Sequence, residues 1–221
     1  GLATAAKPDS RDTDIYVVRF DAEGDLDPGF GTGGIKRIDL SDGRSGTDVN
    51  GDQAYGLEIR PDGKIVVFGS KGLDFAEPAR TDRDIAVVQL ESDGDLDGTF
   101  GTGGVATVRN AGISENPRHG LIQADGKVIA TGYGSLPQQP VRPFIYRFNI
   151  NGTPDGTFGT GGIATGEIGG TGFAEVYDVV QQGDKYVFAA YGRRGAAGAI
   201  DAVAYRFDSG GTWDRSFGQA D

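Results

Sequence analysis

The sequence has no cysteine, no methionine and one histidine in 221 residues. Without cysteine there are no disulfides, no thiolate nucleophile and no cysteine-based zinc site. A single histidine rules out a multi-histidine metal centre. No apolar run approaches the ~18 residues of a membrane-spanning helix. Basic residues are also few: 21 Lys and Arg against 32 Asp and Glu give a net charge of −11, a balance that repels phosphate backbones and argues against nucleic-acid binding. The chain begins GLATAAKPDSRDT, small and polar, without the charged-then-apolar pattern of a signal peptide. Residues 1–13 read as a flexible leader.

What is abundant is glycine, 39 residues, and repetition. One segment occurs four times: DIYVVRFDAEGDLDPGFG at 14–31, DIAVVQLESDGDLDGTFG at 84–101, RPFIYRFNINGTPDGTFG at 142–159 and DAVAYRFDSGGTWDRSFG at 201–218. In each copy an aromatic or Leu (Phe20, Leu90, Phe148, Phe207) precedes the Phe of Phe-Gly (Phe30, Phe100, Phe158, Phe217) by ten residues. An Asp (Asp27, Asp97, Asp155, Asp214) precedes that second Phe by three. A second segment occurs three times, at 55–70, 119–134 and 176–192. It is an apolar run, a Gly/Asp/Lys turn and another apolar run, a strong hairpin signal because Gly and Asp accept positive φ. A short third run follows each of the first three Phe-Gly motifs: GGIKRIDL, GGVATVRN and GGIATGEI.

Four antiparallel strands recurring at 58 to 70 residues, without helical periodicity, predict an all-β fold of propeller blades. A parallel β-helix would repeat over fewer residues, and a sandwich would not repeat its sequence four times. If each Gly-Gly run is the first strand of a unit, the blades span 33–91, 103–149 and 161–208 within a propeller region at 14–221. An orphan outer strand remains at 14–20. Three blades leave open apolar flanks, so the chain is expected to be part of a larger ring, completed by a second copy or another chain.

The D-G-x-x-D-x-x-F-G-x-G-G pattern, with the upstream R-F-D and the P-D-G-K-I hairpin, resembles the delta-60 repeat of bacterial secreted and surface proteins. The resemblance runs from about Asp14 to Gly218. It implies a β-propeller in an extracellular or cell-envelope location, and it supplies no catalytic residues.

The acidic turns DAEGDLD (21–27) and ESDGDLD (91–97) alternate carboxylates as a calcium loop does. The third and fourth copies lose most of those acids, which favours an Asp that caps a turn. No cofactor is therefore expected, with calcium the one ion these turns could take. The Phe-Gly phenylalanines read as plugs between neighbouring sheets. GTGG lacks the helix and the Lys-Ser/Thr of a phosphate loop. Arg19, Arg147 and Arg206, with Gln89 in the equivalent place, read as charged residues on an outer edge strand. Trp213, inside the fourth turn, reads as a packing substitution.

Departures from the repeat mark the candidate binding surface. The first unit carries a seven-residue insertion within SDGRSGTDVNGDQ (41–53) and a longer loop KGLDFAEPARTDR (71–83). Strand alternation places both loops at one end of the sheet, where loops on a rigid scaffold commonly bind. The candidate binding residues are Asp42, Asp48, Asp52, Asp74, Glu77, Arg80, Asp82, Arg83 and, from the next unit, His119. His119 with Ser114 and Glu115 also invites a hydrolase reading, but no G-x-S-x-G elbow accompanies it. No residue is assigned to catalysis or to a metal. The expected function is a non-catalytic extracellular scaffold or binding module for a protein or polysaccharide. The alternatives are a hydrolase or lyase acting through charged loops and a calcium-stabilised adhesion module.

Overall fold

The computed structural model describes residues 2–4, 12–43, 51–77, 79–80, 82–109, 113, 115–135, 138–166, 173–193 and 198–218. It consists of two compact units, residues 1–111 and 112–221. In the first unit, β1 (Leu2–Thr4), β2 (Thr13–Val18) and β3 (Ile35–Ile38) form one antiparallel sheet in that order. β4 (Gln53–Ile59), β5 (Ile65–Lys71), β6 (Asp84–Leu90) and β7 (Val105–Val108) form a second. In the second unit, β8 (Asn116–Ile122), β9 (Val128–Gly134), β10 (Arg142–Phe148) and β11 (Ile163–Thr165) form a four-stranded sheet. β12 (Phe173–Gln182), β13 (Lys185–Arg193) and β14 (Asp201–Phe207) form a three-stranded one. No helix occurs among the described residues.

The predicted hairpins are present: Ile59 faces Ile65, Ile122 faces Val128, and Gln182 faces Lys185. The grouping of strands differs from the expectation. Each Gly-Gly strand pairs with the strand before it, Val18 facing Ile35, Val88 facing Val105 and Tyr146 facing Ile163. The sheets therefore span 53–108, 116–165 and 173–207 rather than 33–91, 103–149 and 161–208. Residues 14–20 are not an orphan: β2 lies between β3 and β1, and β1 falls inside the expected leader.

The cause is the D-x-x-F-G-x-G-G turn. Gly159 and Gly161 take φ of 52° and 63°, and Thr160 N–H donates to Ile163 O at 2.8 Å. Arg147 N–H then donates to Gly162 O at 2.9 Å, so the chain folds straight back onto its own strand. The longer Gly-Gly-to-hairpin segments lead to the next sheet.

Each unit buries one core between its two sheets. In the first, Phe30 is fully buried among Ile15, Val17 and Ile38 of one sheet and Ile65, Val67, Val88 and Leu90 of the other. In the second, Phe158 fills the same place among Ile129, Ile145, Tyr186, Phe188 and Phe207. It meets Tyr186 edge to face at 6.1 Å between centroids. The predicted plug role of Phe30 and Phe158 holds. Each such ring contributes roughly 1.5–3 kcal/mol by leaving water.

A polar latch accompanies each plug. Arg147 Nε meets Asp155 Oδ2 at 2.7 Å, its guanidinium lies 4.6 Å above the Phe158 ring, and Nη1 donates to Ser209 O of the next sheet at 2.6 Å. Gly159 N–H donates to Gly210 O at 2.7 Å. Arg19 repeats the arrangement with Asp27, Phe30 and Ser92 O, and Gly31 N–H donates to Asp93 O at 2.7 Å. The reading of Arg19 and Arg147 as outer-edge charges is thus corrected, while Arg206 lies on β14, the end strand of its sheet. The third strand of each four-stranded sheet is internal to it, and Arg147 is spent on joining sheets.

Candidate functional site

The acidic turns are occupied by the protein's own donors. One oxygen of Asp27, Asp97, Asp155 and Asp214 accepts the N–H two residues on, at 2.8 to 3.0 Å. The other oxygen meets a cation. Lys64 reaches Asp97 at 2.8 Å, Lys127 reaches Asp155 at 2.8 Å and Lys185 reaches Asp214 at 2.6 Å. Burial opposes ionisation of Asp97, but the Lys64 ammonium and the Thr99 hydroxyl outweigh it, holding the carboxyl well below the usual range. Asp155 follows the same balance with Lys127 and Thr157. A turn-capping role fits these contacts, and calcium would have to displace a lysine at Asp97, Asp155 and Asp214 and Arg19 at Asp27.

The two long loops of the first unit meet, as their placement predicted, but mostly as braces. Asp52 is completely buried. It accepts from the N–H groups of Leu40, Ser41 and Gly72 and from the Ser41 hydroxyl, tying both loops together. Burial pushes its carboxyl up to about 6 despite those four donors. Asp42 is exposed and donates its N–H to Asp74 Oδ1 at 3.1 Å; Asp74 also pairs with Lys71 at 2.8 Å. Arg80 is buried between Glu77, Asp82 and Asp84. Arg83, also buried, donates to Gln53 Oε1 at 2.6 Å. Asp48 lies outside the described residues. Of the nine candidates, only His119 sits outside these two loops.

His119 leads to a surface that the sequence reading did not assemble. The edge strands β4, β8 and β12 each carry a bulge at corresponding places, at Tyr55, at Arg118 and His119, and at Tyr177. A bulge re-aims the side chains it carries. In the second unit, His119 Nδ1 lies 3.0 Å from Asp178 Oδ1 with both side chains partly exposed. The Arg118 guanidinium lies over Tyr133 and Tyr177, at 4.8 and 5.0 Å from the ring centres, and Nη2 donates to the Tyr133 hydroxyl at 2.6 Å. Tyr177 stacks on Tyr191 at 5.5 Å and donates to Glu175 Oε2 at 3.1 Å. Phe173 meets Tyr191 edge to face, and Arg193 covers Phe173. Burial pushes the Tyr133 hydroxyl up to about 12, and hydrogen bonding with Tyr177 and Glu175 raises Tyr191. Both phenols therefore stay protonated donors at neutral pH. Tyr133, Tyr177 and Tyr191 read in sequence as ordinary β-strand residues. Their position at the strand end away from the Gly/Asp turn was the available signal.

Among the described residues, one acidic group is close enough to share a metal ion: Asp12, Asp14 and Asp39, with ligand oxygens within 4.8 Å of one another. Arg37 already pairs with Asp14 at 2.8 Å and with Asp39 at 3.3 Å.

The family described as "Domain of unknown function (DUF5122) beta-propeller" matches the chain at residues 10–30, 60–100 and 123–158. Among solved structures, the endo-arabinase of Bacteroides thetaiotaomicron VPI-5482 is similar at 14% identity and a TM-score of 0.45. The similarity covers 81% of this chain and 66% of that protein, so the chain spans just under two thirds of its length. No curated protein sequence matches the chain. With the repeated antiparallel sheets, the family match shows an all-β fold built of β-propeller repeats. Among the described residues, no helix is long and apolar enough to cross a membrane.

Proposed function

We propose that this chain is a secreted or envelope-associated propeller of the delta-60 type that binds an extracellular polysaccharide without transforming it. The observation that carries the reading is the β8–β12 surface. It sets an arginine, an imidazole, two carboxylates and three tyrosines side by side, partly open to solvent. Sugar hydroxyls donate and accept at once, and this surface offers both in alternation. The surface mixes Arg118 and Arg193 with Glu175 and Asp178, a balance that favours neutral sugars over phosphorylated or strongly acidic polymers. A protein partner of the same scaffold is the less economical reading, since the surface is dominated by polar edges. The bacterial location rests on the repeat resemblance and agrees with a chain free of thiols.

Affinity electrophoresis through gels containing single polysaccharides tests the proposal. The wild type is expected to be retarded by at least one neutral polymer, and Arg118→Ala or Tyr177→Ala to migrate freely. Tyr177 is 41% exposed, so its truncation leaves the fold intact. Unretarded migration in every gel would reject the proposal. The His119–Asp178 pair supports one second reading, a hydrolase that uses the imidazole as base. Release of reducing ends that His119→Ala abolishes would establish it in place of simple binding.

A further inference from the structure

Among the described residues, equivalent positions of the fourfold repeat differ in burial at its first and last copies. Leu90, Phe148 and Phe207 are buried to 1% exposure or less, whereas the equivalent Phe20 is 60% exposed. Val18 is 42% exposed where Val88, Tyr146 and Tyr205 are buried. The cause is visible within each unit. Val88 and Leu90 are covered by Phe30, and Tyr205 and Phe207 share a core with Phe158. A methyl group at Gly94 would lie 2.9 Å from the Phe30 ring, and one at Gly211 would lie 3.0 Å from the Phe158 ring. At the corresponding Gly24 it would meet nothing within 4 Å. Val18, Phe20 and Gly24 thus form one side of a seat for a Phe-Gly turn, the side that Val88, Leu90 and Gly94 supply for Phe30; β1 pairs only with Thr13–Ile15, so among the described residues none stands where Ile65 and Val67 line the Phe30 seat.

The complementary element is the turn Asp214–Gly218. Phe30, Phe100 and Phe158 are fully buried, but Phe217 is only half-buried. The turn is already formed. Arg206 meets Asp214 at 2.9 Å and lies 4.7 Å above the Phe217 ring, as Arg147 lies 4.6 Å above Phe158. Arg206 Nη1 donates to Gln182 Oε1 in its own unit, where Arg147 Nη1 reaches Ser209 O of the next sheet.

We propose that Phe217 of one copy seats on Val18, Phe20 and Gly24 of a second copy, repeating the part of the contact that Phe30 makes inside the chain with Val88, Leu90 and Gly94. By equivalence, Gly218 N–H donates to Glu23 O, and Arg206 turns from Gln182 to Ala22 O. The contact is head to tail, so it closes into a ring or extends, depending on the rotation between copies. It does not depend on what the β8–β12 surface binds.

Light scattering over a dilution series of the full chain tests this. The wild type is expected to associate reversibly above the 23.1 kDa of one chain. Phe20→Asp and Phe217→Ala should each weaken association by about 30-fold or more. Mixing those two variants should restore a species of two chains, because one intact Phe217 and one intact Phe20 remain. Phe20 is exposed, so Phe20→Asp should melt as the wild type does, which separates lost contact from lost fold. A wild type that stays at 23.1 kDa at every concentration overturns the proposal. So does association that neither variant weakens, since the contact would then lie elsewhere.

Discussion

The guanidinium of Arg147 and the carboxylate of Asp155 meet at 2.7 Å with both side chains more than nine-tenths buried. Eight residues apart, they sit on either side of one turn, and the same spacing recurs at Arg19–Asp27 and Arg206–Asp214. Buried pairs of this kind gain little over apolar residues but cost much when halved. Asp155→Ala leaves Arg147 and Lys127 facing each other without an anion. It is expected to destabilise the second unit by about 3–5 kcal/mol in urea titration. Arg147→Lys keeps the charge but loses the fork that reaches Thr157 and Ser209, and should cost less than Asp155→Ala.

Glycines of the Phe-Gly turn differ sharply in what surrounds them. Gly159 (φ 52°) would place a methyl group 2.1 Å from Ile163 O, whereas Gly161 (φ 63°) has nothing within 4 Å. Gly161→Ala should therefore cost only the backbone term, about 1–2 kcal/mol. Gly159→Ala adds a backbone clash and should cost at least about 3 kcal/mol. Equal melting points for the two variants would contradict this account of the turn.

Stability should respond to pH in two opposed steps. Asp52, raised to about 6, binds its proton more tightly folded than unfolded. Between pH 6 and the ordinary carboxylate range near 4, acidification therefore stabilises the first unit. Asp97 and Asp155 are held low, so their contribution is complete above about pH 4 and is lost as pH falls further. Urea midpoints should rise slightly from pH 7 to 4.5 and then fall. Asp52→Ala should remove the rise while lowering stability throughout by about 2–3 kcal/mol, because three backbone N–H groups lose their acceptor.

Calcium should leave the melting temperature unchanged relative to chelator, since lysine or arginine already occupies the repeated aspartates and Arg37 neutralises Asp14 and Asp39. A rise in millimolar calcium that Asp14→Asn abolishes would instead place an ion at Asp12, Asp14 and Asp39.

Sequence periodicity revealed the strands, the hairpins and the buried plugs, because period-two alternation and Asp-Gly turns are local. It misplaced the Gly-Gly strand. Adjacency in sequence does not say which neighbour a strand pairs with, although the fixed length of the Asp-to-Gly-Gly turn marks it as a hairpin. Asp52 and Arg80 looked like binding residues because their partners, Gly72 for one and Asp84 with Glu77 for the other, become neighbours only once the loops fold. Tyr133, Tyr177 and Tyr191 escaped notice for the opposite reason. They come from three strands of two sheets, and each alone is an ordinary strand residue.

Each repeated segment carries, within about twenty residues, a plug and the strand that forms one side of a seat, as Phe100 follows Val88 and Leu90. A duplicated repeat thus arrives with the joint it needs on either flank. Arrays of this kind lengthen by recombination without inventing new contacts, and a lesion in one joint weakens its immediate neighbours while distant sheets keep their own stability.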